Sequence, residues 1–381
     1  MIILFYCIIY DEKFSTTRQK IFCAVKSRKH LAKFWISTKY ITQIPVLFRE
    51  ALIVTSISIS FKNKIREVRY QTIVMAGIGM NIGESIGKFI KRVVRPDKEF
   101  LQEIGEVIDT IVTALQEKSE EIGIKEIIKG GSFGKGTAIK GKSDIDLLVV
   151  IKDFEVKDLK SAITKRNLLT KMGKMFEEAV EEGGALCKFI KKTGYSVQFQ
   201  LKTSQFDNEW HDVDILPIAN LDVDSEIDEI YSEMEAKTDF DRTFYSGSLV
   251  KLQIDFVKHQ SAKLKDVIRF IKYWKKMNKL DLVSYAIELI VINVWENTNL
   301  PEEQSLKQLI IAVLTELMNF RTFAISWDDN YDSDDYEQMD EPYIRDPANP
   351  FMDVIYHTNT EREFNRIETQ AGQIRAFIRR L

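Results

Sequence analysis

Apolar residues recur at helical spacing from Ser85 onward: Ile86, Phe89, Ile90 and Val93 fall at i, i+3, i+4 and i+7, and Pro96 ends the run. A second helix follows, with Phe100, Ile104, Val107, Ile108, Ile111 and Leu115 on one face and acidic residues on the other. The period then changes. Asp144 to Ile151 reads as a strand buried on much of both faces, whereas Tyr195 to Leu201 alternates as a half-buried strand does. His211 to Pro217 alternates too, and Pro217 ends it. Leu159 to Glu181 is helical in pattern, as are Lys251 to Lys258, Lys265 to Met277 and Ser284 to Trp295. The acidic run Asp328 to Glu341 is low in apolar residues and predicts a solvated loop. The pattern predicts an α+β chain: an N-terminal extension over 1–74, a mixed lobe carrying acidic strands over 75–245, and a helical lobe over 246–381.

Composition narrows the picture. In 381 residues, 45% hydrophobic and 29% charged positions suffice for a sizeable core and a solvated surface. The net charge of −3 hides an asymmetry. Residues 1–74 carry 13 Lys and Arg against 4 Asp and Glu, or +9, and the remainder carries 41 against 53, or −12. A nucleic-acid surface on the main body must therefore be a local patch. Cys7, Cys23 and Cys187 are too few and too scattered for a disulfide framework or a four-ligand zinc site, which fits a reducing cytoplasmic setting. His30, His211, His259 and His357 lack metal-ligand spacing and read as surface or loop residues. The apolar opening MIILFYCIIY is about half the length of a membrane span, so no membrane partner is expected.

The chemistry concentrates after the second helix. Asp144 and Asp146 stand two apart on one strand, so their carboxylates share a face. Two such charges repel unless a cation lies between them, and magnesium favours carboxylates together with substrate phosphates. The strand at His211 to Pro217 offers a third carboxylate, Asp212 or Asp214, which periodicity does not separate. A glycine-rich turn, Gly130-Gly131-Ser132-Phe133-Gly134-Lys135-Gly136-Thr137, precedes the aspartate pair and lets backbone approach phosphate oxygens. Its spacing is not that of the nucleoside-triphosphatase loop, because Gly136 follows Lys135.

That turn, with Gly141-Lys142-Ser143-Asp144-Ile145-Asp146-Leu147, closely resembles the active-site motif of the 2′-5′-oligoadenylate synthetases. Val213 to Pro217 resembles the strand bearing that family's third aspartate, which selects Asp214. Leu252 to Lys258, Lys263 to Lys265, Ile268 to Trp274, Tyr285 to Leu289 and Asp346 to Pro350 are similar to its later segments, so the resemblance spans about Ser85 to Leu381. It implies a polymerase β-like nucleotidyltransferase fold, a small mixed-sheet lobe plus a helical C-terminal lobe. It also implies template-independent synthesis of 2′-5′-linked oligoadenylates from ATP with release of pyrophosphate.

By the same resemblance, Asp144, Asp146 and Asp214 would hold two Mg²⁺ ions. Gly131, Ser132, Arg269 and Lys272 would meet the triphosphate, and Tyr285 would stack on adenine. Double-stranded RNA would activate the enzyme in innate antiviral defence, contacting Lys135, Lys258 and Lys263, with Lys88, Lys91, Arg92 and Arg95 nearby. Two positions depart from the pattern: Ile254 replaces a basic RNA-contacting residue, and Ser284 replaces a glutamine. The Cys-Phe-Lys element of oligomeric relatives is absent, implying a monomer, as is the His/Cys zinc insertion of DNA-sensing relatives that make cyclic dinucleotides. A receptor making cyclic or mixed dinucleotides and a catalytically silent RNA-binding relative are the alternative readings.

Overall fold

The computed structural model describes residues 78–117, 119–141, 144–182, 186–202, 210–298 and 305–381, and the backbone alone of 4–8, 20–26 and 31–37. Lys142 and Ser143 of the predicted motif, and His30, lie outside the described residues. Met1–Ile73 and Val74–Leu381 form two compact units. In the first, strands β1 (Leu4–Ile8), β2 (Lys20–Lys26) and β3 (Leu31–Ser37) make an antiparallel sheet.

In the second unit a helical turn, α1 (Ile86–Phe89), runs on as a π-helix over Ile90–Val94 and stops before Pro96. Helix α2 (Lys98–Glu117) buries Ile104, Val107, Ile108, Ile111 and Leu115 along the predicted stripe. The sheet has the order β4-β5-β8-β7-β6, with β4 (Ile124–Lys129), β5 (Ile145–Ile151), β6 (Leu186–Lys192), β7 (Val197–Lys202) and β8 (His211–Ile218). Only β5 and β8 run parallel among these neighbours. Residues Ile145, Leu147, Val149 and Ile151 of β5 bury against a core shared with α2 and with the helix that spans Ala162–Glu182. The opposite face carries Asp146 first and Leu148 and Val150 beyond it, because side chains alternate along a strand. One turn of helix, α3 (Gly131–Gly134), joins β4 to β5, and α4 (Ala162–Glu182) follows β5.

The second core belongs to the helical lobe. Helices α5 (Val250–Lys258), α6 (Ala262–Met277), α7 (Ser284–Asn297), α8 (Leu306–Glu316) and α9 (Glu361–Arg380) supply most of the elements there. Helix α7 is apolar on nearly all sides, Ala286 to Ile292 being buried without a break, so it runs through the middle of this lobe. Glu288 is buried in that stretch and needs a charged partner.

Two expectations change. The acidic run is not simply solvated, since Tyr331 within it is buried and donates to the Asp346 carbonyl at 2.6 Å. An apolar aromatic body with a polar tip anchors a segment whose acidic neighbours stay wet. His211 is also no surface residue: it is buried on β8, 3.0 Å from a Glu103 carboxylate oxygen on α2. His259 and His357 are exposed, as expected.

Candidate active site

The glycine turn is fixed to the acidic strand by backbone. Gly130 N–H donates to the Asp146 carbonyl at 2.8 Å, so the chain reverses directly over the start of β5. Gly131 has φ +55°, and a Cβ there would sit 1.9 Å from Asp146 Oδ2. Only glycine gives that backbone twist and the space the carboxylate occupies. A Cβ on Gly134 would lie 2.0 Å from the Lys129 carbonyl, which explains the glycine at that position.

The aspartates meet through strand register. In the parallel β5–β8 pair Asp146 lies level with Asp214, and Ile145 with Val213. Asp212 shares a face with Asp214 but sits one step further out and is exposed. Burial, then repulsion from Asp214 and Asp144, pushes the Asp146 carboxyl up to about 6. Asp144 is raised by burial and by Asp212 and Asp214. Asp214 is raised by burial, against a hydrogen bond from Gln198. Oδ1 of Asp214 is buried without a hydrogen-bond partner.

Together these features fit divalent cations: clustered carboxylates destabilised by one another, hard oxygen donors, and one orphaned oxygen. Among the described residues, no three acidic, histidine or cysteine side chains are gathered as tightly as a closed metal shell. The aspartates thus share a face and an electrostatic strain rather than a finished coordination sphere.

A cavity of about 280 Å³ opens beside them, lined by Gly131, Ser132, Lys135, Thr137, Ile139, Asp144, Asp146, Lys272, Ser284, Tyr285 and Glu288. Residues expected at the nucleotide from both lobes therefore come together. Arg269 does not join them. Its guanidinium donates to the carbonyls of Ala138 at 3.1 Å and Gly136 at 2.6 Å and pairs with Asp266, bracing the loop after the glycine turn.

Glu288 organises the basic groups. Lys272 pairs with its Oε1, and Thr137 donates to the same oxygen at 2.5 Å. Lys272 also donates to the Thr137 hydroxyl at 2.9 Å. Lys135 Nζ lies 3.1 Å from Oε2, an ion pair without the alignment of a hydrogen bond. Burial opposes the charge on Glu288, but Lys272 and Lys135 hold its carboxyl below the usual range. The Lys135 ammonium also sits 3.7 Å from the centre of the Tyr285 ring. The Tyr285 hydroxyl donates to Asp346 Oδ1 at 2.9 Å, and Gln253 reaches Oδ2 at 2.5 Å. Burial, partly offset by these bonds and the Ala348 N–H, raises the Asp346 carboxyl to about 6.

This placement separates Lys135 from the other residues expected at duplex RNA. Lys135 is 7% exposed inside the cavity, because Glu288 on α7 draws it in. Lys258 is exposed at the end of α5, and Lys263 on α6 is half-buried with its ammonium 5.3 Å from the Trp295 ring centre. Lys88, Lys91, Arg92 and Arg95 are exposed, with Arg92 tied to Glu84 and Arg95 to Asp266. Ile254 is apolar and buried, so it belongs to the packing of α5 rather than to a charged surface.

Residue reading alone did not single out Gln198, Gln253, Glu288 or Asp346 as partners of the site. Gln198 stands at a half-buried position of an alternating strand, Gln253 and Glu288 sit within helices, and Asp346 ends a short late strand. Only their long-range partners reveal a role.

Residues 225–377 match the C-terminal domain 2 of 2′-5′-oligoadenylate synthetase 1, and residues 108–205 match a nucleotidyltransferase domain. The chain is 29% identical over 300 residues to mouse 2′-5′-oligoadenylate synthase 2, covering 71% of this chain and 40% of that protein. With mouse 2′-5′-oligoadenylate synthase 1A it shares 27% over 318 residues, covering 71% and 82%. It thus spans well under half of some curated relatives it matches. The fold is that of a nucleotidyltransferase: E. coli MS115-1 CdnC in its HORMA-deltaN complex superposes with a TM-score of 0.55 at 20% identity, covering 77% of this chain and 89% of that one. The CdnC structure with ATP gives 0.53 at 21%, covering 77% and 90%. Among the described residues no helix is long and apolar enough to cross a membrane.

Proposed function

We propose that this chain is a nucleotidyltransferase of the 2′-5′-oligoadenylate synthetase family and joins ATP units into 2′-5′-linked oligoadenylates with release of pyrophosphate. The observation that carries this reading is the carboxylate face at the start of β5 and β8, with its orphaned Asp214 oxygen, beside a cavity lined from both lobes. Asp144, Asp146 and Asp214 would hold two Mg²⁺ ions. Bound there, the ions would neutralise phosphate charge and favour the ionised form of the attacking hydroxyl.

The remaining roles belong to the protein. Gly131 backbone and the Ser132 hydroxyl line the cavity where a triphosphate would lie. Lys272 and Lys135 give that wall positive charge, while Glu288 keeps the pair from repelling each other. Tyr285, fixed through its hydroxyl to Asp346, presents a ring of constant orientation to the base. Double-stranded RNA is the activator in this reading, in cytoplasmic antiviral defence, and exposed Lys258 with Lys263 supports a phosphate contact.

The test is product analysis after incubation with ATP, with ATP plus GTP, with Mg²⁺, and with or without duplex RNA. Oligoadenylates resistant to 3′-5′-specific nuclease and formed only with RNA are expected. Cyclic or mixed dinucleotides would replace this reading with that of a dinucleotide-making receptor. No product under any condition, with RNA binding intact, would mark a silent RNA-binding relative.

A further inference from the structure

The end of the glycine turn reaches the helical lobe through one hydroxyl. Thr137 is fully buried and lines the cavity. Its backbone is clamped. The Thr137 N–H donates to the Ser132 carbonyl at 2.8 Å, and Arg269 holds the carbonyls on either side, those of Gly136 and Ala138. The turn therefore places the hydroxyl, and the helices meet it there. It donates to Glu288 Oε1 on α7 at 2.5 Å and accepts from Lys272 on α6 at 2.9 Å. Lys272 also donates to Glu288 Oε1, which closes a ring of bonds between the turn and both helices. An ammonium has three N–H donors. Among the described residues, those of Lys272 bond to Thr137 and Glu288, which leaves one N–H on a buried cation that lines the cavity.

We propose that Thr137 is the positioning residue for Lys272, holding its ammonium so that the remaining N–H meets the phosphates of a bound nucleotide. A lysine side chain is long and flexible, so fixing it costs conformational entropy. Here the ring of bonds fixes it before a ligand arrives. Glu288 alone would not set the direction, because a carboxylate attracts the charge from many angles and its other oxygen faces Lys135. A hydroxyl carries no charge, so it aims the ammonium without neutralising it. The loop expected to cradle phosphate thus also aims a cation that belongs to the other lobe.

This inference rests on the proposed triphosphate contact of Lys272, and the test separates the two. The probe is α,β-methylene-ATP, whose carbon bridge blocks release of pyrophosphate. Its binding to the full-length protein with Mg²⁺ is measured by isothermal titration calorimetry, with folding checked by circular dichroism. Lys272→Gln, which removes the charge and keeps a donor beside Glu288, should weaken binding about 30-fold or more. Thr137→Val, which keeps the shape and removes the hydroxyl, should weaken it about tenfold. Thr137→Ser keeps the hydroxyl and should bind within about threefold of the wild type. Thr137→Cys, whose thiol bonds weakly, should fall between them and keeps the test open if the valine variant folds poorly. In the Lys272→Gln background, Thr137→Val should weaken binding by less than about twofold more, because the group it positions is gone.

If Lys272→Gln binds like the wild type, the triphosphate contact itself is misplaced. If Lys272→Gln weakens binding while Thr137→Val and Thr137→Cys bind like the wild type, the contact stands and the role of Thr137 is overturned. A loss in Thr137→Ser as large as that in Thr137→Val would also overturn it. So would a valine loss that persists in full in the Lys272→Gln background, by showing that Thr137 shapes the cavity itself.

Discussion

Replacing Asp146 by asparagine should stabilise the fold at neutral pH while abolishing catalysis. In the folded chain burial, Asp214 and Asp144 raise the Asp146 carboxyl from 3.8 to about 6. A carboxyl with a higher value folded than unfolded holds its proton more tightly in the native state. The stability it lends is complete below about pH 4 and is lost as pH rises through about 6. A rise of roughly two pH units corresponds to about 3 kcal/mol, and solvent access to the half-buried side chain reduces this to roughly 1–2 kcal/mol. Asparagine keeps the shape and carries no charge, so the variant escapes this loss. The Gly130 anchor survives because it uses the Asp146 backbone carbonyl. The assay is urea unfolding near pH 4.5, 6 and 7.5, with and without millimolar Mg²⁺. Without Mg²⁺ the variant should exceed the wild type near pH 7.5, and the gap should close near pH 4.5. Added Mg²⁺ should stabilise the wild type by about 1.4 kcal/mol for each tenfold excess over its dissociation constant, and the variant less. A stability difference that ignores pH, or a variant less stable near pH 7.5, would refute the account of mutual repulsion.

Other perturbations probe the surrounding framework. Gly131→Ala forces a Cβ onto Asp146 Oδ2 and strains a residue at φ +55°; transfer should fall by about 100-fold or more, read from initial rates. Lys272→Met leaves buried Glu288 with Lys135 as its remaining cation and the Thr137 hydroxyl as a donor, and should cost about 3 kcal/mol in urea unfolding; an unchanged midpoint would mean that the buried pairs are dispensable. Joint replacement of Lys258 and Lys263 by alanine should lower the slope of duplex-RNA affinity against salt by up to about 2 on logarithmic axes, while Lys135→Met should leave the slope unchanged. A changed slope for Lys135→Met would restore that lysine to the RNA surface.

Much of this protein is local and legible in its sequence. The 3.6-residue stripes of α2 and α6, the alternation of β7 and β8, and the stop at Pro96 follow from which side chains avoid water and which backbone lacks a donor. The glycine turn and the Asp144–Asp146 pair are equally local, because spacing along a strand puts carboxylates on one face. The choice between Asp212 and Asp214 is different in kind. It depends on how β8 aligns with β5, whose paired residues lie 68 positions apart in the chain, and that parallel register sets Asp214 level with Asp146. The partners of the lysines are also beyond sequence reach. A lysine in a glycine turn carries the same charge whether it faces RNA or a buried acid, and only the packing of α7 brings Glu288 within 3.1 Å of Lys135. Arg269 likewise became a loop brace once Gly136 and Ala138 offered carbonyls within reach. Periodicity sets which face a residue takes on its own element; what it meets there is decided when distant elements exclude water together and each buried charge has to find its complement.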